Sequence, residues 1–337
     1  METIQNFQIL WYALVFFLLL GYSLLDGFDL GIAMLLPFIT RRKEDRDVLI
    51  HSIGPVWDGN EVWLITGGGA LFAAFPQAYA TAFSGFYAAV MLILFALIFR
   101  GVSMEFRAHD GGRAGLWEKA LFAGSALATF LFGVALGNVI YGVPLDPRME
   151  FSGDFFTLLR PVPLLFGATG LAAVLLQGAS YAVLKTEGDL QDRAFKAARV
   201  LLGVNVATAA LFFVVLGVAF PGLTGRPPYS AGALLTVLGL AGIFLSIRRR
   251  NDGAPFWASS CSFIGLWLAA GTAQFPNLIK ASNDPLLSLT IFNSSTGLHT
   301  LRVMSGIALV GMPIVIGYTL FVYRIFKGKT RPSSGHY

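Results

Sequence analysis

Charge is scarce in this chain. Only 13% of its 337 residues are Asp, Glu, Lys or Arg, roughly half the density of a soluble domain. Hydrophobic residues make up 55%, and Phe alone occurs 30 times. A soluble fold could not hide that much apolar surface behind so few charges, so the chain is integral to a membrane. Cysteine occurs once, at Cys261, which excludes an internal disulfide and a thiolate metal site; the thiol reads as a small core residue. The four histidines are His51, His109, His299 and His336. No two lie at ligand spacing and only His299 falls within a predicted helix, so no bis-histidine haem is expected in this chain. Walker loop, dinucleotide fingerprint, HExxH and nucleophile elbow are absent too. No charge run or low-complexity segment marks a separate soluble domain, and no nucleic-acid partner is expected. METIQNFQ lacks the basic stretch of a signal peptide, so the first apolar run reads as a retained transmembrane helix.

What is present is a series of apolar runs near the 20 residues needed to cross the hydrocarbon core. Breaks at charges, Pro and Gly delimit nine: 9–38, 52–75, 79–100, 117–142, 161–184, 199–220, 230–247, 256–275 and 299–326. The second is interrupted by PVWDGNE and is the least regular. The distribution of Lys and Arg tests the count. With the N-terminus outside and nine alternating helices, 19 of the 24 Lys and Arg residues fall on the cytoplasmic side, Arg100 among them as a loop residue. Dropping the second run would scatter the basic loops over both sides. The expected fold class is therefore all-α and polytopic, about nine transmembrane helices over residues 1–326. Residues 327–337 would form a short, basic, disordered cytoplasmic tail.

Against that background the acids stand out. LLDGFDLGI places Asp26 and Asp29 three residues apart, and PVWDGNEVW does the same with Asp58 and Glu61. A carboxylate at a helix centre costs about 2.5–3.5 kcal/mol to insert, so these groups are not expected to face lipid. A spacing of three puts each pair on one helix face. At 1.5 Å rise per residue the first pair lies roughly 15–20 Å in from Thr40 and the second roughly 10–15 Å in from His51. The pairs therefore sit at overlapping depth on consecutive antiparallel helices, and are expected to face each other across one polar seam open to the cytoplasm. Closely placed carboxyls can share and pass protons, which reads as a proton or ion path. The plainer reading pairs them with Arg100 or Lys43, or uses them as caps. Trp57 and Trp63 read as packing or interface anchors, Asn60 as a supporting group, and Gly67, Gly68 and Gly69 as allowing close helix approach.

The blocks GYSLLDGFDLGIAML, GPVWDGNEVWLITGGGALFAAFPQAYA and SGFYAAVMLILFALIFRGVSMEFR resemble subunit II of the cytochrome bd-type quinol oxidases. The likeness continues through GNVIYGVP, LLQGASYAVLKTEG, FPNLIKASNDPLLSLTIFNSST and YRIFKGK, covering nearly the whole chain in order. The resemblance implies two four-helix bundles plus a peripheral helix, in a bacterial or archaeal cytoplasmic membrane. It implies a terminal oxidase in which a haem-bearing subunit I oxidises quinol and reduces dioxygen to water. That partner would carry two haems b and a haem d, or a third haem b, with none ligated by this chain. The chain would stabilise subunit I and supply part of a cytoplasmic proton path, with Asp58 central, Glu61 beside it, and Asp26 and Asp29 in support. A structural quinone in this chain and a small single-helix accessory subunit stay open. The competing class is a proton-coupled secondary transporter that uses the same carboxylates and an unwound Gly67–Gly69 segment. The later helices lack acids and show no inverted Gly-interrupted pair to match it.

Overall fold

The computed structural model describes residues 2–110 and 112–331 as eleven α-helices and one short hairpin. The helices are α1 (Glu2–Ile39), α2 (Lys43–Ile53), α3 (Trp57–Ala74), α4 (Pro76–Gly85), α5 (Tyr87–His109), α6 (Ala114–Tyr141), α7 (Pro161–Lys185), α8 (Gly188–Ala219), α9 (Pro227–Arg248), α10 (Ala254–Gln274) and α11 (Leu298–Ile325). Strands β1 (Asn277–Ile279) and β2 (Leu289–Thr290) pair antiparallel between α10 and α11. Proline opens α4, α7 and α9 at the first helical position, where its missing N–H costs nothing.

Packing sorts the long helices into two groups of four. In one, α1 packs on α3 and α6, and α5 on α6; in the other, α7 packs on α8 and α10, and α9 on α10. The groups join where α1 and α6 lie along α7. Gly31 of α1 and Gly178 of α7 make that join possible. A Cβ on Gly31 would overlap the carbonyl of Val174, and one on Gly178 would overlap the backbone of Gly31. Small residues at such a crossing let two backbones touch, which is the main attraction available between helices in lipid.

Eight of these helices are long and apolar enough to cross a membrane; α3, with 18 residues, is not among them. It crosses nonetheless, because it runs antiparallel to α1 along its length. Asn60 meets Leu25 and Asp29, Gly67 abuts Leu18 and Leu19, and Ala74 and Phe75 pack with Trp11 and Val15. Polar residues lower its hydropathy; of these, Asn60 is buried against α1 and Glu61 is paired with Arg100. Of the three consecutive glycines only Gly67 lies against another helix; Gly68 and Gly69 face open space. The helix is continuous through all three, so the unwound segment that the transporter reading requires is not there.

The run expected at 79–100 is the other departure. The chain turns at Phe86, and α5 spans Tyr87–His109. Arg100 is consequently not a loop charge but a buried residue inside a transmembrane helix, 1% exposed. The tail departs as well. Thr330 N–H donates to the Lys185 carbonyl at 2.8 Å, and Lys329 Nζ reaches Asp252 at 2.8 Å and the Val183 carbonyl at 3.2 Å. Residues 327–331 are thus tied to the α7–α8 turn; residues 332–337, with His336, lie outside the described residues. Helix α11 is peripheral and held near its ends. Trp11 Nε1 donates to the Leu301 carbonyl and Ser305 Oγ at one end, and the tail contacts secure the other.

The short helix α2 was not foreseen, because KEDRDVLIHSI is too polar to cross. Its third residue, Asp45, reaches back to accept the N–H groups of Arg41 at 2.9 Å and Arg42 at 3.2 Å, half of a capping box. Asp45 also takes Arg193 of α8 at 2.6 Å, and Arg193 donates to the Ile39 carbonyl at 2.6 Å. One carboxylate therefore ties α1, α2 and α8 together at the basic end of the bundle. Burial by itself would raise its pKa; the two N–H groups and the guanidinium outweigh burial and hold it below the usual carboxylate value. A depressed folded pKa contributes stability above the unfolded value of about 3.9 and loses it as pH falls through the folded one. Asp45→Asn is expected to destabilise the detergent-purified protein by about 2 kcal/mol at pH 7, less than a fully buried pair because both partners see some solvent. In thermal denaturation the gap between native and variant should narrow below about pH 4.

Candidate functional site

The interior face of α3 is set by helical periodicity. Asn60, Trp63, Gly67 and Ala74 are its buried positions, one stripe that turns toward α1. Asp58, two residues before Asn60, lies about 200° round the helix and points away from α1. Glu61, one residue after, lies about 100° round and stays at the edge of the stripe. Of the four acids expected along one seam, the structure gathers three. Asp26 and Asp29 are both 0% exposed, and Glu61 is 23% exposed. Asp58 is exposed on the far side of α3 and has no hydrogen-bond or ion-pair partner among the described residues.

At the centre of the three is Arg100, projecting from α5. Its guanidinium forms a two-pronged pair with Asp26, Nη1 donating to Oδ2 at 2.9 Å and Nη2 to Oδ1. Nη1 also donates to Glu61 Oε1 at 2.8 Å. The Trp57 ring centroid lies 5.9 Å from the guanidinium carbon, so the supporting tryptophan adds a cation–π contact. One side chain thus pins α5 to α1 and α3.

Asp29 is held differently. Its Oδ2 accepts Asn60 Nδ2–H at 2.7 Å, and the same amide donates to the Leu25 carbonyl at 3.1 Å. Asn60 Oδ1 in turn accepts the hydroxyl of Tyr323, on the peripheral helix α11, at 2.9 Å. The second oxygen of Asp29 and the hydroxyl of Tyr22 are both buried without a hydrogen-bond partner among the described residues. An ionised Asp29 would leave a bare carboxylate oxygen in the interior, a costly arrangement. Charge balance is uneven as well, with one guanidinium against three carboxyl groups.

Tyr323 is the member of this cluster that the sequence concealed. It sits in FVYRIFKG, where an aromatic beside basic residues reads as an interface anchor, and nothing local points across 263 positions to Asn60. Its ring faces Phe28 edge-on with centroids 6.3 Å apart, and Phe28 stacks on Tyr181 at 4.1 Å. Beside the cluster an apolar cavity of about 360 Å³ separates the two helix groups, with Tyr22, Phe132, Phe166 and Trp267 among its walls. His51, His109 and His299 are all exposed, and Cys261, expected in the core, is exposed as well; among the described residues no three metal-ligating side chains come together.

A family model described as cytochrome bd terminal oxidase subunit II matches residues 7–326. The chain is 36% identical to cytochrome bd-I ubiquinol oxidase subunit 2 of Escherichia coli (strain K12), over 94% of this chain and 93% of that one. It is 36% identical to cytochrome bd ubiquinol oxidase subunit 2 of Bacillus subtilis (strain 168), over 94% of this chain and 95% of that one. In fold it is similar to a chain in the structure of bd oxidase from Geobacillus thermodenitrificans. The TM-score is 0.79 at 16% identity, over 95% of this chain and 98% of that one.

The geometry at Arg100 generates a coupling test. Arg100→Leu leaves Asp26 buried without its cation and should destabilise the protein by roughly 3–5 kcal/mol. Arg100→Leu with Asp26→Leu removes both charges and should cost less than the sum of the two single losses, by a coupling of about 2 kcal/mol. Thermal denaturation of the native protein, the two single variants and the pair closes the cycle; additive losses would mean that the two groups act independently.

Proposed function

Since the chain belongs to the cytochrome bd terminal oxidase subunit II family, we propose that its buried carboxylates carry protons toward oxygen chemistry performed on subunit I. The chain is a multi-pass membrane subunit of a quinol oxidase complex, and the family implies haems in the partner subunit. We place the complex in the bacterial cytoplasmic membrane, with quinol as electron donor and dioxygen reduced to water. The haems, two of type b with a haem d or a third b, belong to subunit I.

The observation that carries the reading is the ratio of one guanidinium to three carboxyl groups around Arg100. A single positive charge neutralises one carboxylate in a region of low dielectric, so the surplus carboxyls are where protons reside. Arg100 and Asp26 form the fixed, ionised part of the cluster. Asp29 and Glu61 are the groups left to exchange protons, Asp29 oriented by Asn60 and Glu61 at the exposed edge. Asp58, one helical turn from Glu61 and exposed, carries the line to the surface of α3, the face on which we place subunit I. Covering that face is also how the chain would stabilise its partner. Dioxygen reduction consumes protons, and drawing them from the cytoplasm while quinol releases its own outside separates charge without a pump. Should a structural quinone belong to this chain, the apolar cavity beside Tyr22 has the walls for its isoprenoid tail.

Quinol-driven oxygen uptake of the purified complex, normalised to haem, tests the reading. Asp29→Asn and Glu61→Gln should each lower uptake at least tenfold with haem content retained. Asp58→Asn should lower it comparably if the line leaves through Asp58. Full uptake in all three variants would make the cluster a structural clamp and nothing more. Absence of haem from the native complex would remove the oxidase reading itself.

A further inference from the structure

We propose that the groove between α8 and α9 at the basic end of the bundle is a binding site for an anionic phospholipid, its phosphate held by Arg199 and Arg248. A cavity of about 370 Å³ opens there, lined by Arg199, Leu202, Phe244, Ile247 and Arg248. Leu202 and Ile247 are buried and form its floor. The two arginines are exposed and have no hydrogen-bond or ion-pair partner among the described residues. Their neighbours differ in this respect: Arg250 pairs with Asp192 and Lys329 with Asp252. The Arg248 guanidinium lies over Phe244 with its carbon 4.3 Å from the ring centroid, which holds it at the rim of the groove.

Depth decides the occupant. Arg199 stands eleven residues into α8, so the first turns of that helix project beyond the apolar zone. From Val200 to Ala219 the helix carries 20 residues without a charge, a length of about 30 Å and so one hydrocarbon thickness. In α9 the apolar run from Pro227 ends at Arg248. Both guanidiniums therefore lie where hydrocarbon gives way to headgroup, the level of a lipid phosphate. Below them the faces of α8 and α9 expose Val204, Phe244 and Leu245, a surface suited to acyl chains. A basic pocket between transmembrane helices above apolar walls is the chemistry that selects anionic headgroups. Arginine adds two-pronged recognition of a phosphate diester. The proposal is independent of the proton path, since none of these residues touches the carboxylate cluster.

Native mass spectrometry of the haem-containing complex, delipidated and titrated with phosphatidylglycerol or phosphatidylcholine, tests it. The native complex should retain phosphatidylglycerol in preference to phosphatidylcholine. Arg199→Gln with Arg248→Gln should weaken the phosphatidylglycerol site by an order of magnitude, on the order of severalfold per guanidinium. Arg249→Gln, a neighbouring exposed arginine outside the groove, should leave it unchanged, and Arg199→Lys with Arg248→Lys should keep the preference for negative charge. Equal retention of the two lipids by the native complex would overturn the proposal without reference to any variant. So would undiminished binding by the Gln pair, or displacement of the lipid by an equal concentration of inorganic phosphate.

Discussion

Arg100 is the residue on which the rest of this membrane bundle turns. Burying a guanidinium inside a transmembrane helix is costly unless it is paired and its donors are satisfied. Burying Asp26 and Asp29 together on α1 carries the same problem with opposite sign. The fold resolves both by setting α5 against α1 and α3, so that Nη1 and Nη2 of the guanidinium both donate to Asp26 and Nη1 is shared with Glu61. Removing any one of these helices would strand the charges on the others. The polar helix α3 can therefore cross the membrane although its own composition does not qualify it.

The resolution is incomplete, and the functional reading grows from that. A pure clamp needs one acid for one base. This cluster has three acids, one of them oriented by an amide and with its second oxygen unpartnered, and one at the edge of burial. Excess carboxyl groups inside a membrane are retained at a cost, which makes sense where protons must be stored and passed on. Asn60 cannot itself titrate. Its place between Asp29 and Tyr323 instead couples the geometry of the cluster to the peripheral helix α11 and, through the tail, to the α7–α8 turn.

Much of this was legible in the sequence, and the exceptions have identifiable causes. Hydropathy located eight of the crossings, and the sidedness of Lys and Arg argued for the ninth before its packing could be seen. The depth and spacing of Asp26, Asp29 and Glu61 placed them together because α1 and α3 are consecutive and antiparallel, a short-range relation. Asp58 could not be sorted from Glu61 by a spacing of three alone. What decides it is which residue of WDGNE faces α1, and that residue is Asn60. Arg100 read as a loop charge because an apolar window stops at the first arginine; its compensation comes from helices 74 and 39 positions away. Tyr323 lay further out of reach, since no local pattern announces a hydroxyl that crosses to another helix. The polar segment forming α2 carries no transmembrane signal, and its role emerges only when Asp45 meets Arg193.

We propose that Asp29 or Glu61 holds a proton inside the bundle and exchanges it during turnover. The most direct measurement is the reduced-minus-oxidised infrared difference spectrum of the purified complex, in H₂O and D₂O, for the native chain and for Asp29→Asn and Glu61→Gln. The expected result is a carbonyl band of a protonated carboxyl group that shifts in D₂O and disappears in one of the two variants. A spectrum without such a band, or with the same band in both variants, would contradict it.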